Sequence, residues 1–163
     1  MKAAINASPL IFLAKLDCLE ALAVFDEVLT TDIVIDEVEA GAGEGIPDAL
    51  RVKRLVESGK LMVAKASQPR NLPKGLHPGE LSVLKLAMDR RIRDVIIDDR
   101  HAIAAARYFG LRPASTPFLL LLNVKEGRLN EKRFRSLMDG LMAQGYYISP
   151  KLYVRILEIA ETL

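Results

Sequence analysis

The chain has 163 residues, and its 23 Lys and Arg residues nearly balance its 21 Asp and Glu residues, leaving a formal net charge of +2. Half of the residues are hydrophobic, so the composition excludes a disordered chain, and the mixed charge excludes a long acidic or basic tail. Because domains usually span about 100–200 residues, we expect residues 1–163 to form a single domain. The one cysteine, Cys18, cannot form an internal disulfide and lies in an apolar pattern that predicts a buried side chain. With no segment typical of a signal peptide or a membrane span, we expect a cytoplasmic protein.

Short apolar runs alternate with helical patterns along the chain, which is typical of a parallel α/β sheet. Strands are predicted at 3–5, 25–30, 61–64, 95–97 and 113–115. The first helix has Ser8 as its predicted N-cap and Pro9 in its first turn, and its pattern continues through Leu22. Further helices are predicted at about 32–40, 47–58, 78–88, 99–109, 117–125, 130–143 and 150–159. We expect a three-layer α/β/α sandwich with a four- to five-stranded, mainly parallel sheet and C-terminal helices from about residue 117.

Polar residues follow two of the predicted strands. Asn6 comes directly after the first strand, and Asp98 and Asp99 follow the apolar run 95–97. Open parallel sheets bind their ligands outside the carboxyl ends of the strands. Two adjacent carboxylates at such a position repel each other unless donors or a cation neutralise them, and Mg²⁺ is a suitable cation because it prefers oxygen ligands. The two strand ends are therefore candidate positions for a ligand site.

Each candidate residue also has a purely structural explanation. Asp98 or Asp99 caps the helix that follows, and Glu80 stabilises free N–H groups in the first turn of its own helix. In the same way, Glu37 would be one of several charges on a solvated helix face, and Asn6 and Ser8 would be turn and cap residues only. The spacing along the sequence does not bring these carboxylates together by itself.

Other catalytic frameworks have less support. The sequence contains no nucleophile-elbow, phosphate-loop, dinucleotide-binding or zinc motif. Its two histidines, His77 and His101, leave a metal-independent hydrolase as a remote alternative.

Four segments occur in a characteristic order along the chain. They are N-A-S-P-L-I-F-L-A-K-L-D from Asn6, V-I-D-E-V around Glu37, L-H-P-G-E-L-S-V-L-K-L-A around Glu80, and V-I-I-D-D-R around Asp99. Together they resemble the PIN-domain family, in particular its small prokaryotic branch related to the VapC-type toxin ribonucleases. The closing G-Y-Y-I-S-P-K-L-Y-V-R-I-L is similar to the C-terminal end of that branch. The resemblance covers essentially the whole chain.

The resemblance implies an α/β/α sandwich in which acidic residues converge on Mg²⁺ or Mn²⁺. The implied catalytic residues are Glu37, Glu80 and Asp99. The implied metal ligands are Asn6, Glu37, Glu80, Asp98 and Asp99. Ser8 and Thr116 match polar positions that support the same site.

The activity implied is that of a metal-dependent endoribonuclease that hydrolyses single-stranded RNA as the toxin of a toxin–antitoxin pair. The implied partners are single-stranded RNA, an antitoxin protein and a second copy of the chain in a homodimer. Basic residues that are candidates for binding the RNA phosphates are Arg100, Lys74 and Arg70.

The sequence departs from this family at its first acidic position. Active PIN nucleases mostly carry Asp there, whereas this chain carries Asn6. An amide oxygen still ligates Mg²⁺, but it brings no charge and attracts the ion less. The alternative function is therefore a catalytically weak or inactive PIN-like module that binds RNA or a protein partner.

Overall fold

The computed structural model describes residues 1–41, 47–67 and 74–163, and its centre is a five-stranded, all-parallel sheet flanked by helices. The strands are β1 (Lys2–Ile5), β2 (Glu27–Thr31), β3 (Met62–Ala64), β4 (Asp94–Ile96) and β5 (Arg112–Ala114). Their order across the sheet is β3-β2-β1-β4-β5. The predicted α/β class and the predicted parallel sheet are confirmed.

The described part of the chain contains eight α-helices, which connect the strands and continue after β5. They are α1 (Ala7–Lys15), α2 (Asp32–Gly41), α3 (Pro47–Glu57), α4 (Pro78–Asp89), α5 (Arg100–Tyr108), α6 (Thr116–Lys125), α7 (Glu131–Ala143) and α8 (Pro150–Glu161). No helix in these ranges is long and apolar enough to cross a membrane.

The two central strands, β1 and β4, are the most deeply buried part of the sheet. Ala3, Ala4, Ile5, Val95 and Ile96 have no exposed surface. A strand covered by helices on both faces has no polar face, so its residues form a continuous apolar run rather than an alternating pattern. The prediction that 95–97 forms a central, buried strand is therefore confirmed, although β4 begins and ends one residue earlier.

The first helix is shorter than its apolar pattern predicts. α1 ends at Lys15, and Asp17 adopts the left-handed conformation with φ of 50°, which an α-helix cannot accommodate. A short 3₁₀ helix, Leu19–Val24, then buries Leu22. The apolar spacing continues across the break because both pieces pack on the same core, so the sequence pattern alone could not reveal the break.

Cys18 is buried, as its apolar surroundings predict, with 2% of its surface exposed. Burial raises the pKa of its thiol to about 11. The thiol therefore stays protonated near neutral pH, where it is a packing group and not a nucleophile.

Candidate active site at the carboxyl edge of the sheet

β1 and β4 are neighbours in the sheet, and the switch point of the strand order lies between them. β2 and β3 extend the sheet on one side of β1, whereas β4 and β5 extend it on the other. Open parallel sheets bind ligands in the crevice outside such a switch point. Ile5 is in register with Ile96, and the backbone N–H of Asn6 donates to the Ile96 carbonyl at 3.0 Å. Asn6 therefore lies beside the end of β4, at the same edge of the sheet as Asp98 and Asp99.

Asn6, at the end of β1, is a buried residue whose hydrogen bonding is incomplete among the described residues. It is 5% exposed, and its side-chain oxygen Oδ1 is buried and accepts no hydrogen bond from residues 1–41, 47–67 and 74–163. Buried polar atoms almost always have a partner, because leaving one unpaired costs about 1–3 kcal/mol. Asn6 also occupies the N-cap position of α1 without making a side-chain cap bond, so the prediction of Ser8 as N-cap is wrong. The orphaned oxygen points to a ligand that carries positive charge or donates a hydrogen bond.

Asp98 is partly buried at the same edge, and donors from three other segments converge on its carboxylate. Its Oδ1 accepts hydrogen bonds from the Thr116 backbone N–H at 2.7 Å and the Tyr146 hydroxyl at 2.9 Å. Its Oδ2 accepts from the hydroxyls of Thr116 at 2.8 Å and Ser8 at 3.3 Å. Burial raises the pKa of Asp98, and the bonds from Thr116, Tyr146 and Ser8 oppose that rise by stabilising the charged form.

The contacts of Asp98 give it a structural role. Both of its oxygens are occupied by donors, so no free oxygen supports its predicted role as a metal ligand. The carboxylate instead ties α1, the start of α6 and the segment before α8 to the end of β4. Ser8 and Thr116 support the site through this carboxylate. The sequence did not identify Tyr146 as a site residue. Its only signal is its position in the segment G-Y-Y, where the sequence does not show which of the two tyrosines points into the protein.

Asp99 points away from that network and is exposed. Its Oδ1 caps α5 by accepting hydrogen bonds from the backbone N–H groups of His101 at 2.8 Å and Ala102 at 2.9 Å. Its Oδ2 accepts no hydrogen bond from the residues that the structure describes. The capping role predicted for one of the two aspartates therefore belongs to Asp99, and it leaves one carboxylate oxygen available to a ligand.

Glu80 is the third residue of α4 and is 6% exposed. Its Oε2 accepts a hydrogen bond from the His77 backbone N–H at 2.9 Å, which is the helix-start role that its position predicts. Burial raises the pKa of this carboxyl group, and repulsion from Asp99 and Glu37 adds to the rise, while the bond from His77 opposes it. Glu37 on α2 and Asp99 after β4 therefore each lie within electrostatic range of Glu80 on α4.

Glu37 is half-buried and lies against the first turn of α4, so its interpretation as a charge on a solvated face is wrong. Its Oε1 accepts a hydrogen bond from the Gly79 backbone N–H at 2.9 Å. A Cβ atom at position 79 would lie 2.7 Å from the Glu37 Cδ, which is closer than two non-bonded carbon atoms normally approach. The glycine before Glu80 is therefore required for Glu37 to reach α4.

Replacing Gly79 by Ala is expected to displace the Glu37 carboxylate and to lower the free energy of unfolding by about 1–2 kcal/mol. Urea unfolding measures this loss. In a Glu37→Ala background the same replacement should cost nothing or stabilise the protein slightly, because the overlapping carboxylate is gone and Ala favours a helix. An equal loss in both backgrounds would show that Glu37 is not the group that requires glycine.

The predicted phosphate-binding residues are only partly described. Lys74 and Arg100 are exposed, and Arg100 directly follows Asp99. Arg70 lies outside the described residues.

The donors at this edge fit a hard divalent cation, although they do not form a closed cage. Within the described residues, no group of three or more His, Cys, Asp and Glu side chains is arranged to hold a metal ion. Mg²⁺ is usually bound through one or two carboxylates, with water and substrate phosphate completing its shell. The orphaned oxygen of Asn6 and the free oxygen of Asp99 are ligands of that kind, with Glu80 close to Asp99. The residues present therefore fit the ion as part of an open site.

Comparisons with known proteins agree with this fold. The family model described as DUF3368, a PIN domain, matches residues 2–162. A solved PilT N-terminus domain protein from the hyperthermophilic archaeon Sulfolobus solfataricus P2 is similar in fold, with a TM-score of 0.54 and 19% sequence identity over 73% of this chain and 90% of that chain. A search of curated proteins finds no match. The chain belongs to the PIN-domain family, whose members are typically nucleases that use divalent metal ions.

Proposed function

We propose that the protein is an endoribonuclease that uses Mg²⁺ or Mn²⁺ to hydrolyse phosphodiester bonds of single-stranded RNA. The observation that carries this proposal is the buried oxygen of Asn6 at the switch point of the sheet, which accepts no hydrogen bond from any residue that the structure describes. It lies at the end of β1, beside the end of β4, and Asp99 follows β4 and lies within electrostatic range of Glu80. Amide and carboxylate oxygens at one edge of a sheet are suitable ligands for a hard cation, and such a cation binds phosphate.

In this mechanism Asn6, Glu80 and Asp99 hold the ion, and Glu37 completes the acidic surroundings from α2. When bound, the ion supplies Lewis acidity to the scissile phosphate and to the attacking water. The hydrogen bonds to His77 and Gly79 keep Glu80 and Glu37 at the first turn of α4. The Asp98 network holds the end of β4, and Arg100 presents its positive charge to the substrate phosphate.

The direct test is cleavage of an end-labelled single-stranded RNA by the purified protein. We expect products with Mg²⁺ or Mn²⁺ and none after addition of a chelator, with recovery when the metal is restored. Cleavage that is unaffected by the chelator would refute the metal-dependent mechanism.

The variant Asn6→Asp tests the position at which this chain departs from its family. An added charge beside Asp99 should raise the affinity for Mg²⁺ by about tenfold or more. In the absence of RNA, Mg²⁺ should therefore raise the melting temperature of Asn6→Asp more than that of the wild type. The cleavage rate at low Mg²⁺ should rise in the same variant. An equal thermal shift in both proteins would place the ion away from Asn6.

A second candidate function is a module that binds RNA or a protein partner without cutting it. The neutral side chain of Asn6 favours it, because Asn6 brings no charge to the ion. Such a module would gain no cleavage from Asn6→Asp, whereas a weak nuclease would.

We further propose that this activity serves as the toxin of a toxin–antitoxin pair, with an antitoxin protein as its partner and a homodimer as the assembled form. The gene next to the one that encodes this chain is where the antitoxin should be found.

A further inference from the structure

The exposed residues of α5 lie on one face of the helix. They are Arg100, His101, Ala104, Arg107 and Tyr108. At 3.6 residues per turn these positions fall within an arc of about 120°. The buried residues Ala102, Ala105 and Ala106 lie on the opposite side, against the core. We call the exposed set the outer face of α5.

The outer face of α5 carries positive charge that forms no ion pair in the part of the chain that the structure describes. α5 contains no Asp or Glu, and within the described residues neither Arg100 nor Arg107 forms an ion pair. On the neighbouring β5, by contrast, Arg112 pairs with Asp94 at 2.7 Å. Two arginines that remain free for a ligand indicate a polyanionic partner.

Tyr108 adds an aromatic surface to this face. It is 84% exposed, far more than a large aromatic side chain in a packing role. Its ring is supported edge-on by Phe109, with the ring centroids 5.4 Å apart and the planes at 78°. This contact supports the ring, and the 84% exposure of Tyr108 leaves most of the ring surface open to solvent. An open tyrosine beside free arginines is the combination on which unpaired nucleobases stack.

The outer face of α5 begins at the candidate active site. Asp99 is the N-cap of α5, so Arg100 is the first residue beyond it. At 1.5 Å per residue, Tyr108 lies about 12 Å farther along the helix axis. Ala104 lies between the arginines, and its small side chain leaves room for a strand of nucleic acid to lie on the helix.

We propose that the outer face of α5 is a binding track for single-stranded RNA, along which phosphates contact Arg100 and Arg107 and one base stacks on Tyr108. This inference rests on the proposed function, because it takes RNA as the substrate. It extends that function by assigning substrate contacts to residues outside the acidic site.

The test is binding of a short fluorescent single-stranded RNA, measured by anisotropy in a chelator so that neither metal binding nor cleavage contributes. Ala104→Glu places a negative charge on the track and keeps a good helix former, so it should weaken binding by about tenfold or more. Ala104→Lys should strengthen binding. Arg107→Gln should reduce the slope of log affinity against log salt by about 0.7, because one phosphate contact is lost.

Tyr108 is tested with matched aromatic controls. Tyr108→Ala should weaken RNA binding by about tenfold, whereas Tyr108→Phe should retain the wild-type affinity because the stacking face remains. Tyr147 is 85% exposed but lies outside α5, so Tyr147→Ala should also bind as the wild type does.

The results separate the track from the nuclease activity. Weaker binding by Ala104→Glu and Tyr108→Ala supports the track even if the wild type cleaves nothing. If Ala104→Glu and Tyr108→Ala both bind RNA with the wild-type affinity, the proposed track is overturned, even if the wild type cleaves RNA with Mg²⁺. Failure of the wild-type protein to bind RNA also overturns it. If the affinity changes with the charge introduced at position 104 but is the same for Tyr108→Ala and the wild type, the stacking contact is refuted.

Discussion

Glu80→Gln is expected to reduce metal-dependent RNA cleavage by at least about 100-fold while leaving the fold intact. The amide removes the negative charge that faces Asp99 and Glu37, and with it the attraction for a cation. Loss of a residue that merely orients a metal ligand already costs about 10–100-fold, so loss of a ligand should cost more. The fold should survive, because the Gln oxygen can still accept the hydrogen bond from the His77 backbone N–H.

The measurement is the initial rate of RNA cleavage at several Mg²⁺ concentrations, with urea unfolding of the same preparation. Glu39→Gln is the matched control, because Glu39 lies exposed on α2 and should change the rate by less than about twofold. Asp99→Asn should behave as Glu80→Gln does, since Asn caps a helix as well as Asp but supplies no charge. If both variants kept full activity, Glu80 and Asp99 would not be catalytic residues.

Asp98→Ala is expected to have the largest effect on stability, lowering the free energy of unfolding by about 3 kcal/mol or more. The substitution removes the acceptor of four donors. They are the Thr116 backbone N–H and the hydroxyl groups of Thr116, Ser8 and Tyr146. Thr116 is fully buried, so water cannot replace the lost bonds there. Urea unfolding at neutral pH measures the change.

An exposed tyrosine–aspartate pair provides the control. Asp139 accepts a hydrogen bond from the Tyr153 hydroxyl at 2.6 Å at an exposed position, so Asp139→Ala should cost less than about 1 kcal/mol. Tyr146→Phe removes one of the four bonds to Asp98 and should cost an intermediate amount. If Asp98→Ala and Asp139→Ala cost the same, the network does not hold the end of β4.

The two adjacent aspartates show how far local reasoning reaches. A carboxylate that follows a buried strand is predicted to cap the next helix or to bind a ligand, and either aspartate satisfies that description. The structure divides the roles, since Asp99 caps α5 and Asp98 accepts donors from Thr116 and Tyr146. Those donors lie 18 and 48 residues away, so no local pattern could distinguish the two carboxylates.

Glu37 shows the same limit for helices. Its neighbours Asp36 and Glu39 are exposed, and three nearby acids on one helix ordinarily indicate a solvated face. Glu37 is nevertheless turned toward α4, where it accepts a hydrogen bond from Gly79, 42 residues away. The glycine is the only trace of this contact in the sequence, because it marks a place where a side chain would not fit.

The sequence by itself determined the alternation of strands and helices, the parallel sheet and the positions of Asn6, Asp98 and Asp99 at strand ends. These features follow from local rules. A strand that is buried on both faces is a continuous apolar run, and the polar residues at its carboxyl end follow it directly in the sequence. Only the tertiary structure decided which polar atoms stay free. The unpaired oxygen of Asn6, the filled carboxylate of Asp98 and the open outer face of α5 all depend on which distant segments arrive beside them. Hydrogen bonding and burial at these positions depend on contacts between segments that are far apart in the chain, so a local pattern cannot contain that information.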